Sequence, residues 1–181
     1  IKKEMPEVYN TLEYTFLDLS PVLLDSQSRI NRLHGKVTSF IEGDIEKFNF
    51  NGALFDIIIS NEMIADLEVI KLKKAYFHGK EPPNWLKSDI RLLKAHDLDF
   101  DDTFDSFLIN IGAIRFIIRL QDLLSPFGKA MIVEYGDFNL YPTASILRRH
   151  MEFSIHFGHL KKIAQNIGFD VEIMNMMDFL R

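Results

Sequence analysis

Four apolar runs in this chain end in an acid or its amide: at Asp18, at Glu42-Gly43-Asp44, at Asn61-Glu62 and at Glu134-Tyr135-Gly136. Carboxylates and amides accept hydrogen bonds from hydroxyls and amino groups, and an ionised carboxylate also attracts cations. A carboxylate that takes two neighbouring hydroxyls makes a charge-assisted, orienting contact. Asp18 suits a ribose on those grounds, or it is a capped strand end. Asp44 follows Gly43 and suits an exocyclic amino group, or it is a plain turn residue. Glu62 suits a planar guanidinium, which a carboxylate clamps through two parallel bonds, or it caps the next helix. Asp66 and Glu68 are close enough in sequence to add a second carboxylate. His150, His156 and His159 have no acid at a spacing that would complete a metal site, so no metal is expected. His156 lines a substrate cleft, or it is a helix-entry or core histidine. The run "HDLDFDD" is acidic but lacks the glycine and closing glutamate of a calcium loop.

Apolar periodicity supplies the elements that would hold these residues. Strands are expected at 13–19, 37–42, 55–60, 129–135 and 168–174. The run "FDIIIS" at 55–60 is β-branched and bounded by polar residues, the pattern of a strand buried on both faces. A helix end is expected over 1–6. A helix over 21–33 has Ser20 as its cap, Pro21 at its first position and Gly35 as its stop. Further helices are expected over 107–124, stopped by "SPFG", and over 159–166. The interval 61–126 reads as mostly helical, broken at "EPPNWLKSDI", and 136–151 as loop with room for a short helix. Strands that alternate with helices pair in parallel through right-handed crossovers. The expectation is therefore a doubly wound α/β sheet in one domain over 1–181, with a helical and loop insertion over 65–103. Ligands of such sheets sit beyond the carboxyl ends of the strands, where the acidic ends would gather.

Composition narrows the classes of function. A chain of 181 residues with 47% apolar and 26% charged residues matches one ordinary globular domain. Sixteen phenylalanines against one tryptophan predict a Phe-rich core. The net charge of −5 and the lack of a basic run argue against duplex nucleic acid, which needs clustered Lys and Arg. No cysteine is present, which excludes disulfides and thiolate metal sites and fits a reducing compartment. No apolar run reaches the roughly 18 residues of a membrane span, so no membrane partner is expected.

The order "LDLSPVLL", "EGDIEKF", "FDIIISNEMIADLEV" and "MIVEYGDF" resembles class I S-adenosylmethionine-dependent methyltransferases. More narrowly it is similar to the MidA-like family, which includes the mitochondrial complex I assembly-factor arginine methyltransferase. The resemblance rests on Asp18-Leu19-Ser20-Pro21, on Asn61-Glu62 through Asp66-Leu67, on Glu134-Tyr135-Gly136, and on the tail from Glu152 with its Phe-Leu ending. It implies a Rossmann-like, mostly parallel sheet and S-adenosyl-L-methionine as cofactor. It assigns the cofactor to Asp18, Leu19, Ser20, Asp44, Ile45 and Asn61, with Leu19 packed on the adenine. It assigns the chemistry to Glu62 with Asn61, and the substrate, a protein arginine side chain, to Asp66, Tyr135 and His156. A cytoplasmic location follows, or the mitochondrial matrix in a eukaryote. The family's first strand and its Gly-rich loop are matched by none of the nine glycines and would lie before Ile1. The family's last strand would lie after Arg181, and Glu68 stands where the family has proline. A non-catalytic protein with a methyltransferase-like shell, or a dinucleotide oxidoreductase with an acid on its ribose, are the competing readings.

Overall fold

The computed structural model describes residues 2–147 and 150–179. It is a mixed α/β chain of short parallel and antiparallel strand pairs, with no closed barrel among the described residues. Ile1 of the helix expected over 1–6, and Leu180 of the Phe-Leu ending, lie outside the described residues. The chain divides into two compact units, 1–51 and 52–181.

In the first unit Pro6 opens a helix instead of closing one. α1 runs Pro6–Thr11 with the proline in its first turn, where a missing N–H costs nothing because those amides have no intrahelical partner. β1 (Tyr14–Asp18) follows. Ser20 then caps α2 (Pro21–Ile30), its Oγ accepting from the Leu23 amide at 3.3 Å. α2 ends at Asn31, whose Nδ2 donates to the Gln27 carbonyl at 2.9 Å, and a 3-10 turn spans Arg32–His34. Gly35 is not the left-handed stop expected of it, since its φ is −56°. β2 (Thr38–Glu42) pairs in parallel with β1, in register from Tyr14–Thr38 to Asp18–Glu42. Phe16 stacks on Phe40 across the pair at 5.0 Å.

The second unit holds most of the buried side chains. β3 (Phe55–Asn61) pairs in parallel with β6 (Leu124–Val133). Between them lie a 3-10 turn (Ile64–Asp66), β4 (Ile70–Lys73), α3 (Lys87–Ala95), β5 (Ser106–Ile109) and α4 (Ile111–Leu123). β7 (Gly136–Asp137), β8 (Ala144–Leu147), β9 (His150–Phe153), β10 (Ile155–His156), α5 (Phe157–Asn166) and α6 (Met176–Phe179) complete it. β7 and β10 pair in parallel, and β8 with β9 antiparallel.

Several expectations are corrected here. β3 is not buried on both faces: Ile57 is 66% and Ile59 50% exposed, while Ser60 is buried. One face of the pleat turns inward and the other outward, because successive side chains alternate. The stretch expected to be mostly helical contains the antiparallel pair β4–β5, in register from Ile70–Ile109 to Lys73–Ser106. "IKLK" alternates buried and exposed residues, which is strand period compressed into four residues. The helix expected from Phe107 therefore starts at Ile111, after β5. "SPFG" does end that helix, but it lies inside β6 as an irregularity opposite Phe55, with Phe127 at φ 69°. Among its described residues, the segment 136–151 carries strands and no helix. Residues 168–174 form no ladder: Gly168, at φ 96°, ends α5, with the Phe169 amide donating to the Ala164 carbonyl.

The core of this unit forms around α4, whose Ile111, Ile114, Ile117 and Leu120 are buried with Leu72 of β4 and Leu93 of α3. Gly112 allows the close approach of the preceding loop: a Cβ there would stand 2.6 Å from the Glu68 amide. Arg115 fastens the same region. It donates to Glu68 Oε2 at 2.7 Å and to Asp89 Oδ1 at 2.6 Å. The stretch 65–103 thus supplies core residues, Ile70, Leu86, Ile90 and Phe100 among them. No helix among the described residues is long and apolar enough to cross a membrane.

Candidate functional site

The carboxyl ends of the parallel pairs carry the acids singled out by sequence, and each unit has its own set. In the first unit Asp18 ends β1 directly opposite Glu42. Its Oδ1 accepts from the Ser20 amide at 2.8 Å, which shapes the turn into α2. Its Oδ2 takes no hydrogen bond from the described residues. The Gly43 amide donates to the Asp18 carbonyl at 3.0 Å, drawing the loop after β2 against the tip of β1. Asp44 Oδ1 accepts from the Glu46 amide at 2.9 Å, and Oδ2 pairs with Lys47 at 2.9 Å. Leu19 is exposed and Ile45 half-buried. Gly43 serves packing: a Cβ there would stand 2.6 Å from the Phe48 ring. At the other end of the same strands an open surface pocket is lined by Tyr9, Tyr14, Phe16 and His34, and Tyr9 Oη hydrogen-bonds His34 Nδ1 at 2.7 Å.

In the second unit Asn61 ends β3 opposite Val133, and Glu62 follows in the left-handed region, φ 48°. That conformation costs a residue with a Cβ roughly 1–2 kcal/mol. It is held from β6: the Glu62 amide donates to the Val133 carbonyl at 2.9 Å. Glu134 adds a second hold, its Oε2 accepting from the Ala65 amide at 3.2 Å and its Oε1 from the Tyr135 amide at 2.9 Å. Burial pushes the Glu134 carboxyl above the ordinary range; the two amides pull it back, and the charges of Glu62 and Asp66 push it further up. Asn61, Glu62, Asp66 and Tyr135 are exposed. Ser60, one residue before Asn61, is buried with its Oγ unpaired among the described residues.

His156 occupies a different kind of place. It ends β10 opposite Asp137, and its Nδ1 caps α5 by accepting from the His159 amide at 3.2 Å. Its ring stacks on His159 with centroids 3.6 Å apart, and the edge of Tyr141 faces both. Burial lowers the pKa of His156, and takes His159 down to about 3. The backbone beside it does continue the acid-Tyr-Gly segment, since the Ile155 amide donates to the Tyr135 carbonyl at 3.0 Å. The structure thus joins Glu62, Asp66 and Glu134 electrostatically, with Asn61 at the end of the same strand, and sets His156 in a buried aromatic cluster beside the Tyr135 backbone. Sequence reasoning counted Glu134 among the strand-end acids without assigning it a contact of its own, and gave no role to Asn110. Asn110 is buried, donates to the Ser154 carbonyl and accepts from the His156 amide. Glu134 carried a signal, an acid directly after a strand; Asn110 carried none. No group of three or more His, Cys, Asp or Glu side chains is arranged to hold a metal ion among the described residues.

Fold and site together define a mixed α/β chain with acids at the carboxyl ends of its parallel pairs. Compared with protein-family models, curated proteins and solved structures, the chain gave no significant match.

Proposed function

We propose that this chain is a class I, MidA-like methyltransferase on a Rossmann-like doubly wound sheet, using S-adenosyl-L-methionine to methylate a protein arginine side chain. One observation carries the reading furthest: β1, α2 and β2 form a parallel βαβ unit whose first strand ends in Asp18 with one carboxylate oxygen left over. By the resemblance β1 corresponds to the second strand of such a sheet, and an acid at the end of that second strand is where these folds bind a ribose. The residues present fit the adenosine half of the cofactor. Asp18 would take the ribose hydroxyls, Leu19 and Ile45 would flank the adenine, and Asp44 would accept from its amino group. Asp44 Oδ2 must then share with Lys47, an exposed pair worth little. Ser20 is committed to capping α2 and shapes the site through the Asp18 turn.

When bound, the cofactor supplies a methyl group on a sulfonium, so the protein's task is mainly positioning. Glu62 would clamp the substrate guanidinium through two parallel bonds, and a carboxylate of its cluster would take the proton that the methylated nitrogen sheds. Asn61, Asp66 and Tyr135 border the same strand ends. His156, buried and engaged as a helix cap, supports the Tyr135 segment in this reading. A second reading has one observation in its favour: the outward face of β3 exposes Ile57 and Ile59, as on a non-catalytic protein that docks a partner there.

Calorimetric titration of S-adenosylmethionine and S-adenosylhomocysteine into the chain and into Asp18→Ala separates the two. Micromolar binding that weakens at least about tenfold in the variant, the loss of one charge-assisted contact, supports the methyltransferase. Absence of binding in the unaltered chain refutes it for this polypeptide and favours the docking protein.

A further inference from the structure

The turn that carries Asn61 and Glu62 is attached to the end of β6 at two points. One is a backbone bond, Glu62 amide to Val133 carbonyl. The other is a side chain from 69 residues away in sequence, Glu134 to the Ala65 amide. Ala65 is buried, so its amide has no ready replacement by water. Between the two points Glu62 holds φ 48°, a conformation that persists only where the surroundings over-determine it.

We propose that Glu134 is the positioning residue of this turn, fixing the backbone from which Glu62 projects. A carboxylate offers acceptors to both the Ala65 and Tyr135 amides. Protonation turns one oxygen into a donor and removes the charge shared with the other, so both amides sense it together. The titratable groups acting on Glu134 among the described residues are Glu62 and Asp66, both acids and both carried by the turn itself. They oppose its ionisation. The turn therefore raises the proton affinity of the side chain that holds it, and the two amides report that titration. This deepens the methyltransferase reading, and its kinetic consequence rests on that reading; the structural claim does not.

Amide NMR spectra of the chain, Glu134→Gln and the double variant Glu62→Gln/Asp66→Asn, recorded from pH 4 to 8, test it. The Ala65 and Tyr135 amides should shift together with one midpoint above the ordinary carboxylate range. That titration should vanish in Glu134→Gln and move to lower pH in the double variant, while amides in the middle of α4 stay constant. An Ala65 amide that does not titrate, or that titrates unchanged in Glu134→Gln, overturns the proposal. If Glu134→Gln does not fold, the first chain and the double variant still decide it through the direction of the midpoint. In methyl-transfer assays Glu134→Gln should lower kcat about 10- to 100-fold, the scale of a misplaced reacting group, with cofactor affinity unchanged. Should the chain transfer no methyl group at all, the proposed function fails while the Ala65 titration still tests the role of Glu134.

Discussion

His159 is the buried titratable group most out of line with its ordinary behaviour. Its ring lies flat on His156, its Nδ1 has no partner among the described residues, and its pKa falls to about 3 from 6.5. The unfolded chain takes up a proton below pH 6.5 that the folded chain refuses until about pH 3. The unfolded state thus binds more protons in that window, so stability is fully present above it and is lost as pH falls through it. His156, also lowered by burial, acts in the same direction. Glu134 acts in the opposite one, since a raised carboxyl favours the folded state only at low pH. Urea midpoints measured from pH 7 to 4 should fall, and the fall should be shallower in His159→Phe. An equal slope in both proteins would mean that other groups drive the acid sensitivity. The spacing 156 and 159 marked a one-turn pair in the sequence, but it did not reveal that Nδ1 of the first caps the helix of the second. That needed β10 to deliver His156 at the helix start.

At the level of elements, α3 and α4 are joined through a charge. Asp89 is buried and Arg115 reaches it from α4 while also holding Glu68. Removing one partner of a buried pair leaves the other charge without compensation, which costs about 3–5 kcal/mol for a fully buried pair. Arg115 is partly exposed, with its side chain at 40%, so the cost falls to the bottom of that range or below it. Arg115→Ala should destabilise by about 2–3 kcal/mol in chemical denaturation, and adding Asp89→Asn should recover part of it. A single-variant loss below about 1 kcal/mol would reduce the pair to surface decoration. Elements were unequally legible. The strands at 13–19, 37–42, 55–60 and 129–135 and the helix capped by Ser20 follow from runs, turn residues and caps. β4 and β5 did not, because four alternating residues are too few to outweigh a helical reading of their surroundings. Their pairing is also contributed by partners about 35 residues apart.

For the molecule as a whole, the two units have very different interiors. Among the described residues of the first unit, Leu24 is the buried apolar side chain, whereas the second buries the faces of α3, α4 and α5 with β4 and β5. A stretch of about 50 residues without a larger core does not ordinarily hold its own fold. Residues 52–181 expressed alone should therefore melt cooperatively by circular dichroism, and residues 1–51 alone should show no transition. A cooperative melt of the shorter piece, or none of the longer, would show that the division does not follow the energetics.

The sequence alone determined the acids at strand ends, the Ser20 cap, the general expectation of parallel strands joined through helices, and the absence of cysteine. These depend on local spacing and on residue type, which travel with the chain. Only the tertiary structure decided that β3 turns Ile57 and Ile59 outward, that Glu134 reaches back to the Ala65 amide, and that His156 is buried as a cap. Each of these depends on which distant backbone a residue meets. Burial, orphaned amides and shifted proton affinities are properties of that meeting and are written in neither partner separately.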